Sequence, residues 1–304
     1  WEQVRQTLEA AHVPAEFVTF QSYEIHSRRY GDHHILSPAG DLPLIGADSP
    51  HSLLQALKPR PAIAIPHHVA YVPGYRGIDW ASFSSTDSPV VEVYSKHGSS
   101  MSDGGIFPFL HDMGPRDGRN TVRAGLNLGH RFGFVASTDH HGGYPGSYGD
   151  GRLAALATAK TREAIWNAIL ARRTYAVTGD KIACLFRINE QYMGSEVRDA
   201  SVRDIELDIR ACDALDKVTV YKNGKPWRVH CGAISEPLDS SQTFKVRIEM
   251  GWGHSLDGFS WEGHVTVVDG DILGVEIAKV LDEGKDPAQA LADAQATAET
   301  QLGL

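Results

Sequence analysis

Four short apolar runs in the first half of this chain each finish in an acid or a histidine, and that repetition limits the folds open to it. Residues 16–20 lead to Glu24, residues 62–65 to His67 and His68, residues 89–95 carry Glu92, and residues 132–136 lead to Asp139 and His141. Short continuous apolar runs bounded by turn residues read as strands covered on both faces. In α/β barrels and open parallel sheets the groups that do chemistry sit at the carboxyl ends of the strands, where the loops converge on one mouth. One polar strand end is ordinary solvation, but four in succession predict a shared site. Twelve of the fifteen histidines fall within residues 1–141, where even scatter would place about seven.

The sharpest of the four strand ends is Ser137-Thr138-Asp139-His140-His141. In an extended segment Asp139 and His141 point the same way, so they can grip one ion or bridge two. The glycines and Pro145 that follow let the backbone pass close to whatever is bound. A cluster of His, Asp and Glu without thiolates suits Zn, Mn or Fe. Two or three such ions can turn a bound water into hydroxide near neutral pH and stabilise a leaving oxygen. No Gly-x-Ser-x-Gly elbow, phosphate-cradling Gly-x-x-x-x-Gly-Lys loop or dinucleotide fingerprint occurs, so serine-hydrolase, nucleoside-triphosphatase and dehydrogenase readings lack a motif.

Around these strands the pattern predicts helices over residues 3–12, with Val4, Leu8 and Ala11 on one face, over 52–57 and over 121–128. A further helix starts at Thr161, with Thr161 as its cap, Glu163 in the first turn and Ile165, Ala168 and Ile169 buried. Residues 174–179 form an extended piece. From about residue 186 the period changes to two: residues 205–210 alternate, residues 218–221 run into a hairpin turn at Asn223-Gly224, and residues 244–248 and 265–268 add strands. An Ala-rich segment from about residue 274 reads as helical. The expected organisation is a metal-site domain over 1–185, a small antiparallel β-domain, sandwich-like, over 186–273, and a helical tail over 274–304.

The formal net charge of −9, with no offsetting Lys/Arg stripe, argues against a nucleic-acid surface, and no apolar run is long enough to span a membrane. Cys184, Cys212 and Cys231 are odd in number and lie outside the histidine-rich half, which predicts neither a disulfide framework nor a thiolate metal site. Cytoplasmic and exported locations are both open.

Thr138-Asp139-His140-His141 resembles the Ser-Asp-x-His motif of the PHP superfamily, named for polymerase and histidinol phosphatase. The wider block is more specific: residues 133–149, Thr161-Arg162-Glu163-Ala164-Ile165-Trp166 and Arg173-Thr174-Tyr175-Ala176-Val177-Thr178-Gly179. It is similar to the branch called domain of unknown function 3604, over roughly residues 10–225. The resemblance implies an α/β fold, a distorted (β/α)7 barrel with a multinuclear metal centre, in a superfamily containing phosphoesterases. By position it implies Glu24, His33 or His34, His67 or His68, Glu92, Asp139 and His141 as metal ligands, with two or three divalent ions in the complete protein. It implies Asp139, His141, Glu24 and His97 as the residues of catalysis. Arg152 and Arg173 are candidates for holding an anionic substrate, either a small molecule or derived from a polymer.

One feature departs from the family pattern. PHP proteins open on a His-x-His motif, and none occurs here. With the chain starting at Trp1, the expectation is that this strand and its two ligands lie upstream or come from another polypeptide. The expected activity is metal-dependent hydrolysis of a phosphoester. The alternatives are hydrolysis of an amide, lactone or glycosidic bond, and a non-catalytic binding module with a structural or vestigial metal site.

Overall fold

The computed structural model describes residues 1–231, apart from 105, 106, 108, 112, 142–145, 147–150, 198–200 and 213. The first unit of the chain runs from Trp1 to Gly232. The strands expected at 244–248 and 265–268 and the helical tail from 274 lie outside the described residues.

In chain order, helix α1 (Glu2–Ala11) precedes strands β1 (Gln21–Ile25) and β2 (His33–Ser37). Helix α2 (Pro50–Leu57) leads to β3 (Ile63–Pro66), then β4 (Val90–Ser95), the short β5 (Gly98–Ser99), helix α3 (Val122–Asn127) and β6 (Gly133–Ala136). Strands β7 (Arg152–Ala155) and β8 (Thr174–Val177) flank helix α4 (Arg162–Leu170). Strands β9 (Ala183–Ile188), β10 (Gln191–Tyr192), β11 (Ile205–Arg210), β12 (Lys217–Lys222) and β13 (Lys225–Cys231) follow.

The expected (β/α)7 barrel does not form. Among the described residues there are small separate sheets, mostly antiparallel, and four α-helices, and no sheet closes on itself. β1, β2 and β3 make one antiparallel sheet, β5, β4 and β6 another, and β7 pairs antiparallel with β8. The pair β4–β6 is parallel, with α3 in the crossover. The chemical reason lies in the connections. Residues 26–32 join β1 to β2 and only Lys96 and His97 join β4 to β5, too little chain for the helical crossover that parallel neighbours require. The apolar run in β3 is covered on both faces, as expected, but by different neighbours. Ala64 packs with Ile35, Leu53 and Leu57 on the α2 side, while Ile63 and Ile65 pack with Val90, Val135, Trp166 and Ile169 on the other. Burial on two faces is a property of cover, which α2 and α4 supply here to an antiparallel strand.

One local expectation also needs correcting. Residues 16–20 are not a strand: Phe17 is exposed and bridges back to Val13, and pairing begins at Gln21. Helix α1 buries none of its residues; it is tied at the surface by Thr19 Oγ1 donating to Leu8 O at 2.8 Å. The hairpin at Asn223-Gly224 forms as the dipeptide predicts, both residues having positive φ (53° and 72°) between paired β12 and β13. β11 alternates half-buried and exposed residues against β9.

Helix α4 is capped by Thr161, whose Oγ1 accepts from Ala164 N at 3.2 Å, and it carries Trp166 and Ile169 into the cluster beneath the site. Thr161→Ala is expected to cost about 1 kcal/mol of stability. A shift in the denaturant midpoint at unchanged slope is the check.

Candidate metal centre

The site follows from side-chain alternation on three neighbouring strands. On β3, Ile63 and Ile65 face the cluster shared with Val90, Val135 and Trp166, and the next residue of that parity is His67. His67 N donates to Asp32 O at 2.9 Å, carrying the β2–β3 pairing one step past Pro66 and keeping the alternation. On β4, Val90 faces the same cluster and Glu92 follows it; from β6, Val135 is followed by Ser137. One apolar face therefore turns polar toward the same end of three strands. His67 and Glu92 are buried there, and Ser137 Oγ donates to Glu92 Oε2.

The register of β1, β2 and β3 separates the two adjacent histidines of β2. His34 lies opposite Glu24 and Ile65, and so shares the face of Ile65 and His67; His33 lies opposite Ile25 and Pro66. The His34 ring lies tilted 4.4 Å from that of His67, whereas His33 points away and its Nδ1 lies 2.9 Å from Gly31 O. His34 thus joins the cluster and His33 does not.

His67 is the hub. Its Nδ1 donates to Glu92 Oε1 at 2.7 Å, which leaves Nε2 facing Asp139 Oδ2 at 3.4 Å. The same oxygen lies 2.8 Å from His97 Nε2, and it makes an aligned hydrogen bond with neither ring. Ligand atoms of His67, His97 and Asp139 lie within 4.8 Å of one another, as do those of His34, His67 and Glu92, of Glu24, His67 and His68, and of Glu24, His26 and Asp32. His34 Nε2 and His68 Nδ1 are also buried without a hydrogen-bond partner. Buried polar atoms are nearly always satisfied, so three such atoms around one hub indicate a missing partner. These clusters could hold a metal ion.

His97 and His68 are each 1% exposed. His97 sits in the tight β4–β5 turn, with its backbone N donating to Ser95 Oγ. His68 and Asp139 have positive φ (33° and 48°), a conformation that side chains other than glycine seldom adopt and that clusters at functional sites. Asp139 and His141 are therefore not presented by an extended segment. They still approach each other, with His141 Nε2 3.5 Å from Asp139 Oδ1, but the His141 side chain is half exposed and stands at the edge.

The electrostatics favour a cation. Burial, followed by the charge of His67, holds His34 at about 4, and burial above all brings His33 to about 4, against the Gly31 carbonyl and Asp32; His68 is pushed down by burial and by His67. These rings are neutral and carry lone pairs. Burial opposes ionisation of Asp139 and Glu92, yet the proximity and charge of His67, joined by His97 at Asp139, hold both below the usual carboxylate range. His67 pays burial too, but Glu92 and Asp139 raise it to about 10. The proton on His67 thus occupies the electrostatic position that a metal would take. Glu24 is shifted up, by burial above all.

Three residues at the site were not singled out by the sequence. Asp32, fully buried, has Oδ2 3.0 Å from His26 Nδ1 and 3.5 Å from His68 Nε2, and Arg76 Nη1 lies 3.3 Å from the same oxygen. Ser137 is the third. Asp32 stands directly before His33 and His34, so its signal was the acid in that triplet. Arg76 stands in a loop without any motif. The arginines that were singled out are engaged in the scaffold: Arg152 Nη1 donates to Gly179 O at 2.8 Å, and the Arg173 guanidinium lies 5.5 Å from the centre of the Tyr192 ring.

The chain is similar to an uncharacterized protein of Chlamydia pneumoniae, 27% identical over 254 residues, covering 74% of this chain and 40% of the relative. Uncharacterized proteins of Chlamydia muridarum and Chlamydia trachomatis are each 28% identical over 150 residues, covering 44% of this chain and 24% of theirs. This chain spans less than half the length of those relatives. No family model and no solved structure matches it.

Proposed function

We propose that this centre is a metal-dependent hydrolase site acting on phosphoesters, in keeping with the resemblance to PHP proteins. The observation that carries the metal reading is Asp139 Oδ2, set between the Nε2 atoms of two buried histidines without an aligned hydrogen bond to either. Nitrogen and carboxylate donors without thiolate suit Zn, Mn or Fe. His67, His97 and Asp139 would hold the ion, and His34, His68 and Glu24 extend the donor set around the shared His67.

A bound ion of this type supplies an activated water and draws electron density from a phosphoryl oxygen. The protein's own groups do the rest. Glu92 accepts from His67 Nδ1 and so fixes the tautomer that leaves Nε2 as the donor atom, the usual role of a carboxylate behind a ligating histidine. Ser137 in turn fixes Glu92. His141, half exposed at the edge beside Asp139, would pass a proton to a departing alkoxide through Nε2.

The test is elemental analysis of purified protein together with hydrolysis of 4-nitrophenyl phosphate and bis(4-nitrophenyl) phosphate, before and after chelation. The expected result is bound Zn, Mn or Fe, with turnover lost on chelation and restored by the metal. Protein that retains its metal and hydrolyses neither ester would overturn the hydrolase reading.

A further inference from the structure

Three nitrogens crowd Asp32 Oδ2: His26 Nδ1, His68 Nε2 and the Arg76 guanidinium Nη1 lie 3.0, 3.5 and 3.3 Å away. Its other oxygen accepts from Ser27 N at 3.0 Å. A guanidinium this close takes the place of an ion, so among the four donor groupings that of Glu24, His26 and Asp32 is the poorest metal site. Asp32 instead anchors Arg76 beside His68.

Arg76 is little used by the fold. Besides the oblique contact with Asp32, Nη1 donates to Met113 Sδ at 3.5 Å, and the side chain is 38% exposed. Among the described residues its guanidinium makes no other hydrogen bond or ion pair. By contrast Arg116, the other arginine near His68, is buried; its Nη2 donates to Ser99 O and Ser100 Oγ, and its guanidinium lies 4.5 Å from the centre of the Tyr71 ring.

The loop that carries Arg76 is held firmly. Tyr75 N and Gly77 N both donate to Val72 O, and Ile78 N donates to Val69 O. A Cβ on Gly77 would lie 1.8 Å from Tyr71 O, and one on Gly31 would lie 2.9 Å from Gly77 O, so two glycines let this loop seat against the residues just before Asp32. Arg76 itself sits at φ 61°, in the left-handed region. The backbone at Arg76 is clamped on both sides, and the Asp32 carboxylate holds the end of its side chain at 3.3 Å.

We propose that Arg76 is the substrate-binding residue that makes this centre selective for a phosphomonoester, its free N–H groups taking two non-bridging oxygens of the phosphate. A planar fork of donors matches two phosphate oxygens, and a dianion beside the Arg76 guanidinium meets a positive charge that a neutral ester would not use. The inference rests on the hydrolase reading for its substrate but not for its binding measurement.

The experiment is calorimetric titration of inorganic phosphate into wild-type protein, Arg76→Lys and Arg76→Ala, each metal-loaded and metal-stripped, with metal content and circular dichroism recorded for all. Arg76→Ala is expected to keep its metal and its spectrum while binding phosphate about ten- to a hundredfold more weakly, with Arg76→Lys between. The loss in kcat/KM should be larger for 4-nitrophenyl phosphate than for the neutral 4-nitrophenyl acetate. Phosphate affinity within about twofold of wild type, or an equal loss on both esters, overturns the proposal. Wild-type protein that binds phosphate through Arg76 but holds no metal would instead overturn the hydrolase reading alone.

Discussion

Asp139→Asn is expected to remove metal from this protein while leaving it folded, with affinity falling by at least about a hundredfold. Replacing groups that merely orient a ligand costs ten- to a hundredfold, and in the proposed centre Asp139 is itself a ligand. Asparagine keeps the shape and one oxygen but loses the charge that faces His67 Nε2 and His97 Nε2. Glu92→Gln is the informative comparison, because a glutamine oxygen can still accept from His67 Nδ1; it should therefore lose less than Asp139→Asn. If Asp139 were only an ion-pair partner for protonated histidines, the outcome would differ. Stability would fall in the metal-free protein, and metal retention through dialysis would be the same in the variant and in the wild type. Elemental analysis after dialysis, beside a chemical denaturation curve on stripped protein, separates the two.

The parts of this site that were legible in the sequence are those where chemistry follows a strand by a fixed step. His67, Glu92 and Asp139 each close an apolar run, and the structure brings all three to one point. His34 over His33 was not legible, because which of two adjacent residues faces the site depends on the pairing of β2 with β1 and β3, a one-residue choice that flips every side chain. The barrel was misread for a related reason. A buried strand such as β3 looks the same whether its neighbours run parallel or antiparallel, and only the lengths of the links distinguish them. Asp32 and Arg76 come from the β1–β2 link and from the loop after Tyr71, and meet through contact between Gly31 and Gly77. No local pattern announces such a meeting. The hairpin at Asn223-Gly224 lies at the other extreme, because two residues determine their own backbone there.

The metal-free protein should be most stable near pH 6.5 and lose stability on both sides, and metal should abolish the loss on the alkaline side. His67 has a folded pKa raised to about 10 by Glu92 and Asp139 against its burial. Its contribution is therefore complete below the ordinary imidazole value of about 6.5 and disappears as pH rises toward 10. His33, His34 and His68 are shifted the other way by burial. Below about 6.5 the unfolded chain takes up protons that these rings refuse, so stability falls as pH drops toward 4. Asp139 and Glu92, both held below the carboxylate range, extend that loss further into acid, opposed in part by Glu24 with its raised pKa. Each fully unmatched proton gives a slope of about 1.4 kcal/mol per pH unit, so the acid limb, with three histidines, should be the steeper. A bound ion requires His67 without its proton at Nε2, which couples binding to release of about one proton per ion at neutral pH. Urea denaturation from pH 4.5 to 10, with chelator and with saturating metal, tests the shape. Calorimetry in buffers of different ionisation enthalpy counts the proton. Stability that climbs steadily from pH 6.5 to 9 without metal, or binding that releases no proton, would mean that His67 is neutral in the folded protein. The positive charge balancing Glu92 and Asp139 would then have to come from elsewhere.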